Sequence, residues 1–177
     1  MKKNALKTFN MEFIRFYWVD IGYNSNVLTP RLETEALVQY GIKEFVADSE
    51  VILDIWTGSW AIIAAVANNL IKKKPQRMPA MLAIDISSKA KKIAVENFSR
   101  LNLHISCEEG DLLTPLFSKK YIGLCEQKNV LCFANLPYIS KYEDIGLDVL
   151  ENDPHEALFW GWENWFDCIL RFLEMAK

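Results

Sequence analysis

Four short apolar runs, each closing on or beside a polar residue and separated by stretches of helical periodicity, constrain this chain more than any other feature. Val51 to Ile55 is apolar and β-branched around Asp54, and Met81 to Ile84 is followed by Asp85. Ile105 to Glu108 leads to Asp111, and Val130 to Ala134 is followed by Asn135. Such runs read as strands buried on both faces. Ala61 to Leu70 is an alanine-rich helical pattern. Ser87 or Ser88 caps a further helix whose inward stripe is Ala90, Ile93, Ala94, Asn97, Phe98 and Leu101. A last helix is expected from about Trp165 to Ala176. Buried strands alternating with helices call for an α/β fold with a parallel sheet covered on both faces. Ligands in such sheets bind beyond the carboxyl ends of the strands. Asp54, Asp85, Asp111 and Asn135 therefore fall on one edge. A single acidic residue after a strand is ordinarily a helix cap, whereas four polar groups in succession define a site.

Composition sets the outer bounds. The chain has 177 residues, enough for one domain. Its 51% hydrophobic and 24% charged residues suit a packed core and exclude disorder as the overall state. A net charge of -3 argues against gripping nucleic acid through phosphates, so no direct nucleic-acid binding is expected. No apolar run approaches the roughly 20 residues of a membrane span, and the lysines of the first residues precede no apolar signal region. The expected setting is cytoplasmic, with no membrane partner and a monomeric state. Cys107, Cys125, Cys132 and Cys168 form no CxxC pair. They read as free thiols rather than zinc ligands, so no metal is expected. Lys72 to Lys74 read as a solvated helix end, where positive charge suits the dipole.

The segment VILDIWTGSWAIIAAVA resembles the first motif of class I methyltransferases, a strand ending in an acidic residue and a glycine-rich turn entering a helix. Such a turn brings backbone close to a ligand and presents helix N-terminal N–H groups. MLAIDISSKA resembles the second motif, in which Asp85 would accept hydrogen bonds from ribose hydroxyls. EEGDLL places Asp111 where the superfamily contacts the adenine amino group. The turn does not follow the dinucleotide GxGxxG pattern. The resemblance implies a Rossmann-like class I methyltransferase sheet that binds S-adenosyl-L-methionine. Its contacts would be Asp54, Trp56, Thr57, Gly58, Trp60, Asp85, Ile86, Asp111, Leu112 and Asn135.

Asn135-Leu136-Pro137-Tyr138 is similar to the N-P-P-Y or N-L-P-Y signature of methyltransferases acting on planar nitrogen groups. An amide nitrogen is a poor nucleophile because its lone pair is delocalised. The Asn135 side-chain oxygen and the backbone carbonyl of Leu136 can accept its two hydrogens and aim it at the methyl carbon, a gain mainly of orientation. Tyr138 can pack on the planar group, beside Pro137. Adenine-N6 methyltransferases of RNA share this motif. Two flanking segments favour another family: FYWVDIGYNSNVLTPRLETEALV resembles F-Y-G…V-L-I-P-R-P-E-T-E, and DPHEALFWGWENWFDCILRFL resembles E-P…A-L-x-G-G-x-D-G…L. Both are marks of the protein-glutamine N5-methyltransferases (HemK/PrmC-like). The resemblance implies that Arg31, Glu33 and Glu35 lie along the mouth of the active site, with Arg31 and Glu33 facing substrate. It also implies an acceptor glutamine in the GGQ motif of a peptide-chain release factor, or in a ribosomal protein as for a close relative.

Two departures qualify the resemblance. The family is longer at both ends, so residues 1–15 read as the remnant of an N-terminal region or linker. Residues 16–177 then read as the methyltransferase core with its C-terminal strands missing, which makes an inactive fragment of the fold a competing expectation. The second departure is the six tryptophans. Trp18, Trp56, Trp60, Trp160 and Trp165 stand where the family carries glycine, and Trp162 lies in the same glycine-rich loop. Random replacement does not select glycine positions. A UGA codon, read as glycine in some bacterial lineages and as tryptophan under another table, would produce this pattern; a diverged, inactive paralogue is the alternative.

Overall fold

The computed structural model describes residues 10–137 and 166–177. Strands β1 (Glu12–Phe16) and β2 (Val19–Tyr23) form an antiparallel hairpin, followed by helix α1 (Thr34–Glu44). The chain then alternates: β3 (Val51–Ile55), α2 (Ala61–Lys73), β4 (Ala80–Asp85), α3 (Ser88–Leu101), β5 (Ser106–Glu109), β6 (Val130–Ala134). Helix α4 (Asp167–Met175) follows among the described residues. β3 to β6 form one parallel sheet in the order β5-β4-β3-β6. The α/β expectation is met, with strand bounds within a residue or so of those read from the sequence. Burial on both faces holds only for β3 and β4: the outer strands β5 and β6 are largely half-buried or exposed, because each lies at the side of the described sheet.

Every residue of β3 is buried, as its central position requires. Alternation along it feeds two cores. Ile52 joins Phe16, Ile21, Val38, the alanine face of α2 and Phe98 on one face of the sheet. Val51, Leu53 and Ile55 join Leu82, Ile84, Leu113, Leu136 and Cys168 of α4 on the other. Small residues suit α2 to a close approach, since Ala61 through Ala67 are all buried. The helix ends where Lys74 turns left-handed (φ 49°) and donates its N–H to the carbonyls of Leu70 and Ile71. Ser87 caps α3 by accepting the Ala90 N–H, and Asn102 closes it in the left-handed conformation.

The hairpin and α1 carry no independent signal in the sequence beyond family resemblance. The hairpin turns on two residues, Tyr17 (φ 41°) and Trp18 (φ 67°). That is the two-residue turn with positive φ at both positions, which ordinarily requires Asn-Gly or a similar pair. Without that chemistry the segment does not read as a hairpin. Here the Tyr17 N–H is held by the Glu35 carboxylate at 2.8 Å. Glu35, expected at the site mouth, thus ties α1 to the hairpin turn.

Candidate functional site

From β3 the chain steps outward to β4 and β5, then returns to β6 on the other side of β3. The loops leaving β3 and β6 therefore diverge, and a crevice opens beyond their carboxyl ends. A cleft of about 740 Å³, solvent at its mouth included, lies there. Trp56, Thr57, Gly58 and Ser59 after β3 line it, with Asp85, Ile86 and Ser87 at the end of β4 and Asn135 after β6. The opposite wall is Asn26 to Arg31 with Phe16 and Thr34.

Asp85 anchors this site. One of its oxygens accepts the Ser87 N–H and the other the Gly58 N–H, both at 2.8 Å. These bonds join the two turns that form the cleft floor and fix the plane of the carboxylate. The backbone N–H groups of Ile86 and Thr57 face the same carboxylate. Burial pushes its pKa up to about 6, partly offset by those N–H bonds.

Asp54 does not line the cleft. It is fully buried, and one oxygen accepts the Thr57 hydroxyl at 2.5 Å and the Ile63 N–H at 3.1 Å. Ile63 is in the first turn of α2, so Asp54 supplies the capping acceptor that Trp60, at the N-cap position, cannot. Burial raises its pKa to about 7 against the opposing Thr57 and Ile63 bonds, with the nearby Asp85 charge adding to the rise. Its other oxygen is buried without a hydrogen-bond partner.

The turn from β3 to α2 has a regular backbone. Trp56 (φ 58°), Gly58 (φ 55°) and Trp60 (φ 65°) are all left-handed. A side chain in this conformation costs roughly 1–2 kcal/mol, and a bulky one is an outlier. Glycine adopts it freely. Trp56 is buried at the cleft and packs into the second core. Trp60 points away: its indole is fully buried against Phe98, edge-on at 5.9 Å, and donates to the Ala90 carbonyl at 3.1 Å.

Asp111 also stands outside the cleft. Its carboxylate pairs with Arg171 of α4 at 2.5 Å, and the following Leu112 (φ 50°) is buried in the second core. Asn135 lines the cleft, while Leu136 and Pro137 are buried beside it. Tyr138, Trp160, Trp162 and Trp165 lie outside the described residues. Arg31 is exposed on the cleft rim; Glu33 is exposed at the start of α1 and does not line the cleft.

The structure thus brings Trp56, Thr57, Gly58, Asp85, Ile86, Asn135 and Arg31 together. It places Asp54, Trp60, Asp111, Leu112 and Glu33 elsewhere. Sequence reasoning missed Asn26, Val27, Leu28 and Thr29. The available signal was the Asn24-Ser25-Asn26 turn: the Asn24 side-chain oxygen accepts both the backbone N–H and the side-chain amide of Asn26, each at 3.0 Å. Among the described residues no cluster of metal-ligating side chains occurs, and no helix is long and apolar enough to cross a membrane.

The sheet order β5-β4-β3-β6 and the cleft at its switch point define a Rossmann-like α/β fold, the one the methyltransferase resemblance implies. A candidate methyltransferase whose crystal structure is complexed with SAH superposes with a TM-score of 0.53 over 80% of this chain and 36% of that one, at 11% identity. In sequence the chain is a relative of the release factor glutamine methyltransferases. It is 37% identical to the enzyme of that name from Streptococcus pneumoniae over 146 residues, 81% of this chain and 47% of the relative. It is 37% identical to that from Rhodopirellula baltica over 155 residues, 82% of this chain and 48% of the relative. The chain thus spans about half the length of these curated relatives. No family model matches.

Proposed function

We propose that the protein transfers a methyl group from S-adenosyl-L-methionine to the side-chain amide nitrogen of a glutamine in a protein, the GGQ glutamine of a peptide-chain release factor. The observation that carries this reading is the position of Asn135. It leaves β6 into the same cleft that holds Gly58 and the pinned Asp85 carboxylate. A donor site and an amide-orienting side chain therefore share one crevice.

Gly58 and Asp85 fit the donor, while the Trp56 indole takes up part of the cleft wall. A Cβ built on Gly58 would meet nothing nearer than Leu28 at 3.7 Å, so the backbone there is open to close approach. Asp85 presents a buried, oriented carboxylate suited to a pair of hydroxyls. Gly58, Asp85 and Ile86 would hold the donor, with Thr57 and Asn135 at its reacting end. The donor, when bound, supplies an electrophilic methyl carbon on a sulfonium.

The chain's own part is orientation. The Asn135 side-chain oxygen and the Leu136 carbonyl accept the two amide hydrogens, which fixes the nitrogen and its lone-pair direction. Holding two reactants in register is worth several orders of magnitude. The nitrogen would gain the methyl as the donor's S–C bond breaks to leave a neutral thioether, and would lose one N–H proton to solvent. Buried Leu136 and Pro137 keep this backbone rigid. Arg31, on the rim, meets the protein carrying the glutamine, and Glu33 stands further along the same segment. The release-factor acceptor is supported by the relatives' names and by the VLTPRLETE segment, of which Val27 to Arg31 and Thr34 line the cleft.

The test is incubation with a release factor and methyl-labelled donor, followed by peptide mass spectrometry. One methyl on the GGQ glutamine is expected. Methylation of a ribosomal protein or of adenine in RNA, with none on the release factor, would replace this reading.

A further inference from the structure

Every tryptophan among the described residues has a left-handed backbone: Trp18 at φ 67°, Trp56 at 58° and Trp60 at 65°. Non-glycine residues adopt positive φ in only a few per cent of cases, so three from three by accident is on the order of one in ten thousand. The three environments have nothing else in common. Trp18 is 77% exposed at the tip of the hairpin. Trp56 lines the cleft, and Trp60 lies in the core between α2 and α3. No surrounding shared by all three selects an indole. The only shared property is a backbone conformation that selects glycine.

Each position adds its own argument. Trp18 is the second residue of a two-residue turn with positive φ at both, where glycine is preferred. Residues 56, 58 and 60 alternate in one left-handed series, and the middle member is glycine. Trp60 sits at the N-cap of α2, where it offers no capping side chain and where glycine is well tolerated. Its indole does find a buried place and a hydrogen bond. That accounts for its accommodation, not for its backbone.

We infer that the working protein carries glycine at positions 18, 56 and 60, the tryptophans arising from UGA triplets read under a table other than the cell's own. At position 56 the consequence is functional. Glycine there frees the volume of an indole in the cleft wall, beside Gly58 and Asp85. The inference about residue identity stands on backbone conformation; only this consequence rests on the proposed donor site.

Peptide mass spectrometry of the full protein isolated from the cells that make it tests the inference. Glycine at all three positions is expected, with UGA in the gene at each. Tryptophan in any of the three peptides, or a UGG codon at any of the three, overturns it. A second readout compares two recombinant full chains, as read and with Trp18→Gly, Trp56→Gly and Trp60→Gly together. The glycine chain is expected to unfold at the higher temperature; a lower midpoint contradicts the inference, since removing a native buried indole would leave a cavity. Titration with S-adenosylmethionine separates the two ideas. If mass spectrometry finds glycine and the glycine chain takes up no donor, the donor site fails and the residue assignment holds.

Discussion

Replacing Asn97 by alanine should loosen the hold of α3 on the hairpin through a quantifiable loss. Asn97 is fully buried on α3 and treats Gly22 of β2 as a strand partner would. Its side-chain oxygen accepts the Gly22 N–H and its amide donates to the Gly22 carbonyl, both at 2.8 Å. Glycine favours this approach, because a Cβ at position 22 would stand 3.0 Å from the Asn97 oxygen and press on the pair. Alanine at 97 strands one backbone donor and one acceptor. Leaving each buried group unpaired costs about 1–3 kcal/mol, so the pair together costs about 2–6 kcal/mol. Against a typical domain stability of about 5–15 kcal/mol that is a large fraction. Urea unfolding followed by far-ultraviolet circular dichroism reads it as a lower midpoint at unchanged slope. Asn97→Asp keeps the acceptor for the N–H but sets a carboxylate against the Gly22 carbonyl, and should also destabilise. A loss below about 0.5 kcal/mol for Asn97→Ala would refute the pairing and, with it, the claim that α3 clamps the hairpin.

Three further outcomes follow from the same contacts. Asp54 and Asp85 have pKa values raised to about 7 and about 6, against 3.8 for an unburied aspartate. The folded chain therefore keeps protons that the unfolded chain releases between about pH 4 and 7. Their contribution is complete below pH 4 and is lost as pH rises through 6 and 7, at up to about 1.4 kcal/mol per pH unit for each proton. The urea midpoint should be higher at pH 5 than at pH 8, and Asp54→Asn should shrink the difference; a midpoint that rises with pH in both chains would contradict it. Asn135→Ala should lower the methyl-transfer rate by at least about a hundredfold while donor affinity changes little, because the side chain orients the acceptor. Equal loss of donor binding and rate would place Asn135 in the donor site instead. Arg171→Ala should cost about 1 kcal/mol or less by urea unfolding, since its pair with Asp111 is 42% and 27% exposed; a loss of several kcal/mol would show that α4 depends on that pair.

The parts legible in the sequence were those governed by strong local patterns. Val51 to Ile55 announces itself as a strand because a buried parallel strand has no polar face to confuse the pattern. Val130 to Ala134 shows the same apolar run although only Phe133 of it is buried. Ser87 marks the start of α3 because a hydroxyl is what an open helix end needs. The hairpin stayed hidden because its turn carries Tyr17 and Trp18, neither a turn former. Asn97 read as one more member of an apolar stripe because periodicity reports burial and not hydrogen bonding. Asp54 and Asp111 followed the strand-end rule, yet one caps α2 and the other pairs with Arg171. A strand end fixes where a residue begins; the helix beside it decides which way its side chain turns. The glycine pattern of the β3–α2 turn was visible only by resemblance, and the backbone angles at 56 and 60 give it a physical cause.

Isothermal titration of the chain bearing glycine at positions 18, 56 and 60 with S-adenosylmethionine asks the central question, whether the switch-point cleft is a donor site. Saturable one-to-one binding is expected, displaced by S-adenosylhomocysteine and weakened at least tenfold by Asp85→Asn. A folded glycine-bearing chain that releases no heat, or that binds equally well with and without the Asp85 carboxylate, would contradict the assignment of this cleft.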